Sequence, residues 1–382
     1  MRTAVIVGGG IGGLGAANAL LRQGWSVQVL EQAPEFGEVG AGISLWPNAF
    51  RALESIGALA ALNPERLGAA GGLRDWRGGW LARMDRETEA ATHTQSAVVT
   101  HRAELLDALL AGIPADSRRA GVRVTGARLA GARAVVEFDG GEIEADLVVG
   151  ADGIRSAVRG ALWPDAPAPR YSGHTGWRVV LPKPASLAAG PEPWAEIWGP
   201  GAVFGMFPMS GDRLYCYATA AVPAGGRSPD GELVELRRRY ADWCEPIPTV
   251  LAAAEPDQVI RNDIYYLPKL TSFVRGPVAL LGDAAHAMTP NRGQGGCMAL
   301  EDAATLGLTI GARPDVATAL RRYDELRRPR THWMWQQSKL SGVIAQLTPA
   351  PLRAVRNALI RVLPTSIFVS SLAKPFNWHP TA

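Results

Sequence analysis

The sequence contains few cysteines and no long uninterrupted apolar run. Its three cysteines, Cys216, Cys244 and Cys297, follow no metal-ligand or redox spacing, and an odd number disfavours a disulfide framework. We therefore expect a reducing compartment, the cytoplasm, and no metal site. Glycines interrupt the apolar N-terminal stretch and arginines interrupt the C-terminal one, so we expect neither a signal peptide nor a membrane span.

An excess of charge of one sign is also lacking. The 39 basic and 36 acidic residues give a net charge of +3 and form no long runs. Because a surface that follows nucleic-acid phosphates normally shows a basic stripe, we expect no nucleic-acid partner. The arginine-rich stretch "LRRYDELRRPRTHW" also carries acidic residues, so we interpret it as a solvated helix face or an interface.

The chain has 382 residues, which is more than a single hydrophobic core usually organises, so the length predicts two lobes. Strand-like and helix-like segments alternate at first, which predicts a Rossmann-like α/β domain with a mainly parallel sheet. Strand-like segments then follow one another and predict a substrate domain with a mostly antiparallel β-sheet. We assign residues 1–170 and 271–340 to the first domain, residues 171–270 to the second, and residues 341–382 to a helical segment that packs across both lobes.

The N-terminal stretch "VIVGGGIGGLGAANAL" predicts a strand, a glycine-rich turn and a helix. Gly8, Gly10 and Gly13 match G-x-G-x-x-G, and Glu31 ends the next strand at the spacing of a ribose ligand. Glycines let the backbone approach a pyrophosphate, and the helix N-terminus attracts its charge. The pattern predicts a dinucleotide site without deciding between NAD and FAD. The predicted contacts are Gly8, Gly10, Ile11, Gly12, Gly13, Glu31 and Gln32.

A second glycine-rich stretch, "GDAAHAMTPNRGQGG", follows the strand-like "VALLGD" near the other end of the chain. The strand delivers Asp283 to its carboxyl end, where its carboxylate would accept hydrogen bonds from ribityl hydroxyls. Residues 293–296, which include Gln294 and Gly295, open a helix whose N–H groups would stabilise an anionic flavin ring. Two glycine loops so far apart in sequence fit one long ligand, FAD, better than two dinucleotides.

Between the two loops, "GADGIRSAVR" follows a strand and precedes a helix. Asp152 and Gly153 can be read as cofactor contacts or simply as an N-cap and a turn. The segment alone leaves both readings open.

These motifs, "GGGIGGLGAANAL…LE", "GADGIRSAVR" and "GDAAHAMTPNRGQGGCMALEDA", occur in an order that resembles the single-component FAD-dependent monooxygenases of the aromatic-hydroxylase family, with the para-hydroxybenzoate hydroxylase fold. The likeness runs from residue 2 to about residue 345. It implies that Arg102 lies along the phosphate and ribityl region of FAD and that Asp152 and Gly153 serve both FAD and NAD(P)H. The implied contacts of the ribityl chain and the flavin ring are Asp283, Pro290, Gly293, Gln294, Gly295 and Gly296.

The resemblance also implies a reaction. NADH or NADPH reduces the flavin, O2 adds at its C4a position, and the resulting hydroperoxide transfers one oxygen atom to the substrate. Because the cofactor carries this chemistry, the protein needs only to orient the substrate, exclude water from the site and supply a suitable electrostatic environment. Epoxidation of an alkene or polyene, and a catalytically silent FAD-binding protein, remain alternatives.

The substrate is expected to be a small, largely apolar aromatic or polycyclic molecule, because six aromatic residues fall between Trp194 and Tyr217. No nucleophile, metal cluster or general base stands out. The candidates for activating or binding a substrate are His286, Tyr215, Tyr217 and Arg178. His286 is interpreted more readily as a structural residue, Arg178 and Arg213 could equally form surface ion pairs, and either a monomer or a homodimer is compatible with the sequence.

Overall fold

The computed structural model describes most of the chain, which folds around two large β-sheets that are covered by helices. The described residues are 1–37, 40–62, 71–84, 98–187, 194–209, 211–363 and 374–382. Within them, no helix is both long enough and apolar enough to cross a bilayer. The three cysteines are free thiols; Cys216 and Cys297 are buried, and Cys244 is half-buried.

The first sheet has six strands. Neighbouring strands are parallel except at one edge, where the strand Val274–Arg275 pairs with its neighbour in antiparallel orientation. Its central strands are rich in β-branched residues and largely buried, as expected where helices cover a parallel sheet, whereas its two edge strands are more exposed. In spatial order they are β17 (Val274–Arg275), β18 (Val278–Leu280), β11 (Leu147–Gly150), β1 (Thr3–Val7), β2 (Ser26–Leu30) and β7 (Arg118–Arg119). This is the Rossmann-like sheet that the alternating segments predict.

Two helices bring the two glycine-rich loops together. Helix α1 (Ile11–Leu21) packs against α8 (Gly295–Ala312) because small residues face each other at their contact. A Cβ added to Gly15 would lie 3.0 Å from the Cβ of Ala303, and one added to Gly307 would lie 2.8 Å from that of Ala19. The backbones therefore approach closely, and the starts of the two helices become neighbours.

The remaining helices surround both sheets. Around the first sheet lie α2 (Pro47–Ser55), α3 (Arg102–Ala111), α4 (Ala157–Leu162), α7 (Asp283–His286) and α9 (Val316–Ala345). Helices α5 (Glu232–Arg239) and α6 (Ile247–Ala253) pack on the second sheet, and α10 (Ala350–Val362) follows α9. Short 3₁₀ turns occur at Leu59–Ala61, Ala115–Ser117, Ala185–Leu187, Pro256–Gln258 and Lys374–Asn377.

The second sheet has seven strands and is antiparallel except for one pair. In spatial order they are β16 (Val259–Tyr266), β12 (Arg170–Pro182), β15 (Arg213–Ala221), β14 (Ala202–Met209), β13 (Trp194–Gly199), β4 (Gly71–Asp75) and β5 (Trp80–Met84). The mostly antiparallel substrate sheet is thus present. However, β4 and β5 belong to it although the division by residue number assigned them to the first domain, because β4 pairs with β13 at a sequence separation that local patterns do not reveal.

Two small sheets complete the fold. One is the hairpin sheet of β8 (Val124–Ala130), β9 (Arg133–Phe138) and β10 (Gly141–Ala145), in which a tight turn joins β9 to β10. The other pairs β3 (Gly42–Leu45) with β6 (Val98–His101) in antiparallel register. This second pair lies between the two large layers.

The C-terminal residues contact both lobes. Helix α10 packs on β5 of the second sheet, whereas the turn at Lys374–Asn377 packs on α2 of the first lobe. The start proposed for this segment, residue 341, lies inside α9, which continues to Ala345. The domain limits themselves stay a prediction.

Candidate functional site

The front loop, residues 8–13, has the backbone that its glycines predict. Gly8 adopts φ +106°, where a Cβ would overlap the carbonyl oxygen of Ala151. A Cβ at Gly13 would overlap the carbonyl oxygen of Gly8, so both positions require glycine for packing. Gly10 is different, because no protein atom lies within 4 Å of its Cβ position. Space outside Gly10, at the uncapped start of α1, is what close approach of a phosphate requires.

Glu31 lies directly beside this loop. Its Oε2 accepts a hydrogen bond from the N–H of Gly9 at 2.6 Å, and its Oε1 accepts one from the N–H of Ala33 at 2.8 Å. A carboxylate has about four acceptor positions, so two remain for ribose hydroxyls. Gln32, the next residue, lies on the same exposed edge of the sheet.

The middle motif is held by a half-buried aspartate. Asp152 Oδ1 accepts a hydrogen bond from the Ser156 hydroxyl at 2.5 Å, and its Oδ2 accepts one from the N–H of Val158 at 3.1 Å. Burial raises the pKa of Asp152 above its ordinary value, and these hydrogen bonds oppose the rise. The N-cap of α4 is Ser156 and not Asp152. Gly153, at φ +76°, has open space around its Cβ position.

An arginine connects the middle motif to the back loop, residues 282–296. Arg159 is buried, and it donates to the carbonyl oxygens of Ile154 at 2.6 Å and Ala284 at 2.8 Å. One side chain thus ties the turn after β11 to the helix that begins at Asp283. The sequence motif contains this arginine, but nothing in the sequence shows its partner.

The back loop lies against β3 and the front loop. Asp283 is exposed at the carboxyl end of β18, and Pro290 is also exposed. A Cβ at Gly296 would lie 2.9 Å from the side chain of Ile43 and 3.7 Å from that of Ile11, which begins α1. Gly293, at φ +59°, lies against Ser44 and Trp46. The two glycine-rich loops therefore meet.

The start of α8 has free hydrogen-bonding capacity. No side chain caps it, and the Cβ position of Gly295 has no protein atom within 4 Å. Gln294 is 2% exposed, and within the described residues its Nε2 has no partner, while its Oε1 accepts from Asn48 Nδ2 at 3.0 Å. A buried amide donor and unpaired backbone N–H groups fit the anionic edge of a flavin ring.

Behind this loop lies a buried ionic network. Asp302 bonds His286 Nε2 at 2.5 Å and Arg327 Nε at 2.6 Å, and Arg327 also contacts Glu301 at 2.7 Å. Arg330 forms a bidentate pair with the same Glu301. Burial alone would raise the pKa of Asp302, but His286 and Arg327 lower it below its ordinary value of 3.8.

This network bears on two sequence interpretations. Arg327 is 1% exposed, so the arginine-rich stretch is not simply a solvated face. Its partner Asp302 lies on the neighbouring helix α8, 25 residues earlier in the sequence. His286 is 3% exposed and bonds Asp302, so its geometry supports the structural reading over a catalytic one. The network fixes α7, and hence Asp283, relative to α8.

The second sheet presents a row of rings on one face. Trp194 and Phe207 stack with centroids 6.2 Å apart, and Phe207 and Tyr217 stack at 5.9 Å. Tyr215 continues the row with its centroid 6.2 Å from that of Tyr217 and its plane inclined by 44°. We call these four residues the ring row. Side chains on the opposite face, including Trp177 and Phe204, are buried under α5 and α6. The strand alternation thus divides the predicted aromatic segments between a core face and a cleft face.

The ring row reaches the back loop through β3. A Cβ at Gly42 would lie 2.7 Å from the Tyr215 ring at Cδ1, so the ring lies directly on the backbone of β3. The next two residues of that strand, Ile43 and Ser44, contact the back loop. Only one short strand therefore separates the rings from the start of α8.

Of the four candidates for substrate contact, His286 lies in the buried ionic network and Tyr217 bonds Glu196 in the ring row. The other two, Tyr215 and Arg178, lie near several arginines. Tyr215 is buried, and burial raises its pKa, while Arg178 and Arg102 oppose the rise. Arg178 is half-buried on the face of the ring row and bonds Asn262 at 3.3 Å. Arg102 begins α3 beside this group, whereas Arg213 forms an ion pair with Glu104 at 2.8 Å.

Sequence reasoning missed several residues around the site. Trp46 and Phe376 stack behind the back loop, and Glu196 accepts a hydrogen bond from Tyr217. Glu301 and Asp302 stand in the quoted "ALEDA" segment, so acidic residues in an otherwise apolar helix were the available signal. Glu196, on an exposed-looking strand position, had no comparable signal.

Comparisons with known proteins agree with this geometry. The model of the family "FAD binding domain" matches residues 1–338. The chain is 38% identical over 365 residues to aurachin C monooxygenase/isomerase from Stigmatella aurantiaca, covering 94% of each chain. It is 34% identical to the 2-heptyl-3-hydroxy-4(1H)-quinolone synthase of Pseudomonas aeruginosa strain PAO1, covering 95% of each.

A solved structure resembles the whole chain. The Klebsiella pneumoniae protein HpxO, complexed with FAD and uric acid, is 30% identical and superposes with a TM-score of 0.90, over 98% of this chain and 96% of that one. The family match, the identities and the shared fold all cover both lobes. This chain therefore belongs to the FAD-dependent monooxygenases of the aromatic-hydroxylase family, and it is an FAD-binding enzyme.

Proposed function

We propose that this enzyme hydroxylates a flat, largely apolar aromatic substrate, using NADH or NADPH and O2. The observation that carries the proposal is the ring row, which lies one short strand from the back loop. Stacked rings bind a flat molecule by its face with little regard to its substituents. A substrate held there would lie next to the place where the flavin ring fits.

The residues for FAD follow from the site geometry. The open space at Gly10 and the carboxylate of Glu31 suit the pyrophosphate and the adenosine ribose. Asp283 suits the ribityl chain, and the N–H groups of residues 294–296 suit the flavin ring. The N–H of Gly293 already donates to the carbonyl oxygen of Pro290 at 2.8 Å, so the sequence-based expectation does not extend to it. Arg102 and the segment of Asp152 and Gly153 are proposed to contribute to FAD and NAD(P)H binding, as the family resemblance implies.

FAD, when bound, would accept the reducing equivalents of NAD(P)H and activate O2. The chain then has three tasks. The ring row orients the substrate, the packing of β3 against the back loop excludes water, and the start of α8 stabilises negative charge on the ring. None of these tasks needs a nucleophile.

The names of the relatives support a flat heteroaromatic substrate. One is named for aurachin C, one for a quinolone, and a third, 34% identical over 343 residues, is an FAD-dependent urate hydroxylase from Klebsiella pneumoniae. Flat rings are the common feature of the chemistry that these names describe. The substrate of this enzyme is therefore expected among such molecules.

The test is a panel of phenols, benzoates, indoles, quinolones and polyenes supplied to the purified holoenzyme. We expect at least one flat aromatic to accelerate NAD(P)H oxidation and to yield a product that carries one atom of ¹⁸O from labelled O2. NAD(P)H oxidation without any oxygenated product, or a hydrolytic activity that survives removal of the flavin, would contradict the proposal.

Epoxidation is the second candidate. A zeaxanthin epoxidase from Solanum lycopersicum is 31% identical over 91% of this chain, although the chain spans 55% of that protein. Oxygenation of polyenes but not of aromatics in the same panel would favour this alternative.

A further inference from the structure

Glu196 is an acidic side chain among the rings that line the second sheet. It lies on β13 between Trp194 and Trp198, and the alternation of the strand places all three on the cleft face. The neighbouring positions on the other face, Ala195 and Ile197, are buried in the core. An acid therefore stands within an otherwise apolar and aromatic surface.

The carboxyl group is held by two hydrogen bonds from aromatic side chains. Trp198 donates its indole N–H to Oε1, and Tyr217 donates its hydroxyl to Oε2. Within the described part of the chain, no arginine or lysine forms an ion pair with Glu196. Burial raises the pKa of Glu196, and the two hydrogen bonds only oppose the rise.

The contact between Glu196 and Tyr217 depends on a glycine. In the register of the sheet, Glu196 pairs with Gly205, and Gly205 pairs with Tyr217. A Cβ at Gly205 would overlap the ring atoms Cε1 and Cζ of Tyr217. The ring thus crosses strand β14 over the bare backbone, and the carboxylate and hydroxyl meet on the far side.

The other polar groups on this face are few. Arg178 is the partner of Tyr217 on β12, and Tyr215 lies beside Tyr217 in the ring row. From the C-terminal helix α10, the guanidinium of Arg356 lies 5.0 Å from the ring centroid of Trp198. Asp75, in register with Trp198 on β4, is a second acid, but it forms an ion pair with Arg361. Each oxygen of Glu196 has capacity for one more hydrogen bond.

We propose that Glu196 determines substrate specificity by accepting a hydrogen bond from a ring N–H, or its hydroxyl tautomer, on a neutral heteroaromatic substrate. The inference rests on the proposed function of this site and names its substrate class. A donor at the edge of a substrate ring held beside Tyr217 would meet the carboxylate to which Tyr217 and Trp198 donate. An aromatic carboxylate at the same place would bring two negative charges together without a cation between them, so the site selects against it.

The test measures binding to the holoenzyme, through the change in flavin absorbance, with three related probes. These are 4-quinolone, which presents a ring N–H; 1-methyl-4-quinolone, which does not; and 4-quinolone-2-carboxylate, which adds a negative charge. The wild type is expected to bind the first most tightly. Glu196→Gln is expected to weaken binding of 4-quinolone roughly tenfold, since the substrate N–H then meets a neutral amide where it met a charged carboxylate.

The same substitution should act differently on the other two probes. Binding of the N-methyl probe should change little, and binding of the carboxylate probe should improve. A substitution that merely damaged the pocket would weaken all three alike, and that result would overturn the proposal, as would equal affinity of the wild type for the N–H and N-methyl probes. Glu142→Gln, which removes an exposed carboxylate paired with Arg128 on the hairpin sheet, is the matched control.

Failure of the proposed function would be visible separately. Binding preference needs no turnover, so a holoenzyme that discriminates among the probes but oxygenates none would retain this inference and lose the hydroxylase assignment. An enzyme that oxygenates aromatics without discrimination at Glu196 would give the opposite result.

Discussion

The indole of Trp46 and the ring of Phe376 stack with centroids 4.4 Å apart and planes inclined by 8°. Trp46 precedes α2 and lies against Gly293 of the back loop, whereas Phe376 belongs to the C-terminal turn at Lys374–Asn377. Arg51 donates to the carbonyl oxygen of Trp378 at 2.8 Å, and Arg330 donates to that of Pro375 at 2.7 Å. The C-terminal residues therefore support the back loop from behind.

Replacement of Phe376 by alanine should destabilise the protein by about 3 kcal/mol, because a buried ring and its stacking partner are lost. FAD should also bind less tightly, since the back loop loses its support. Urea unfolding and FAD titration measure the two effects. Phe376→Leu, which keeps most of the apolar volume, should be milder on both; equal stability of the alanine variant and the wild type would show that the stack contributes nothing.

Alanine substitutions at Gly8 and Gly10 should affect different properties, the first the stability of the fold and the second the affinity for FAD. Gly8→Ala should destabilise even the flavin-free protein, because of its positive φ and the overlap with Ala151. Gly10→Ala meets no protein atom, so the fold should survive, but the methyl group would fill the space proposed for the pyrophosphate.

Thermal unfolding of the flavin-free variants and FAD titration distinguish the two cases. Gly131→Ala, at another positive-φ glycine with no neighbour within 4 Å, is a control for backbone strain alone. Full FAD affinity of the Gly10 variant would place the pyrophosphate elsewhere.

Asp302→Asn should cost about 3 kcal/mol at neutral pH, because a buried carboxylate is removed from two cationic partners. The folded-state pKa of Asp302 is lowered, so its contribution is fully present above the ordinary value of 3.8 and is lost as the pH falls further. The difference in unfolding free energy between wild type and variant should therefore shrink on acidification below that value. Asp107→Asn, at an exposed position, should show no such difference at any pH.

Glu196→Gln should show the opposite dependence on pH. Because the folded-state pKa of Glu196 is raised, its contribution to stability is present below the ordinary value of 4.5 and is lost as the pH rises through the folded-state value. The variant should match the wild type in acid and equal or exceed it in stability at neutral pH. A marked loss of stability at neutral pH, measured by urea unfolding, would identify Glu196 as a structural residue instead.

Much of the fold follows from local sequence. The residue pattern and glycine placement predict β1, α1 and the helix start of α8, because a turn or helix start depends on residues adjacent in the chain. The same is true of the front loop, since Gly8 must adopt a positive φ and a side chain at Gly10 would fill the space proposed for the pyrophosphate. The family follows as well, from the order of three motifs.

Other features depend on pairs that are distant in sequence. Arg327 meets Asp302 only because α9 packs on α8, so composition alone suggested a solvated arginine. Strands β4 and β5 join the second sheet only through the pairing of β4 with β13. Neither relationship has a periodic signature.

By itself, the sequence determined where backbone can turn, where a helix can start and which cofactor class fits, because these depend on the conformational freedom of single residues and their near neighbours. The tertiary structure alone decided that the two loops adjoin, that Glu196 meets Tyr217 across Gly205, and that His286 is buried with Asp302. Those contacts result from helix packing and strand register, which are set by the shapes of surfaces assembled from the whole chain.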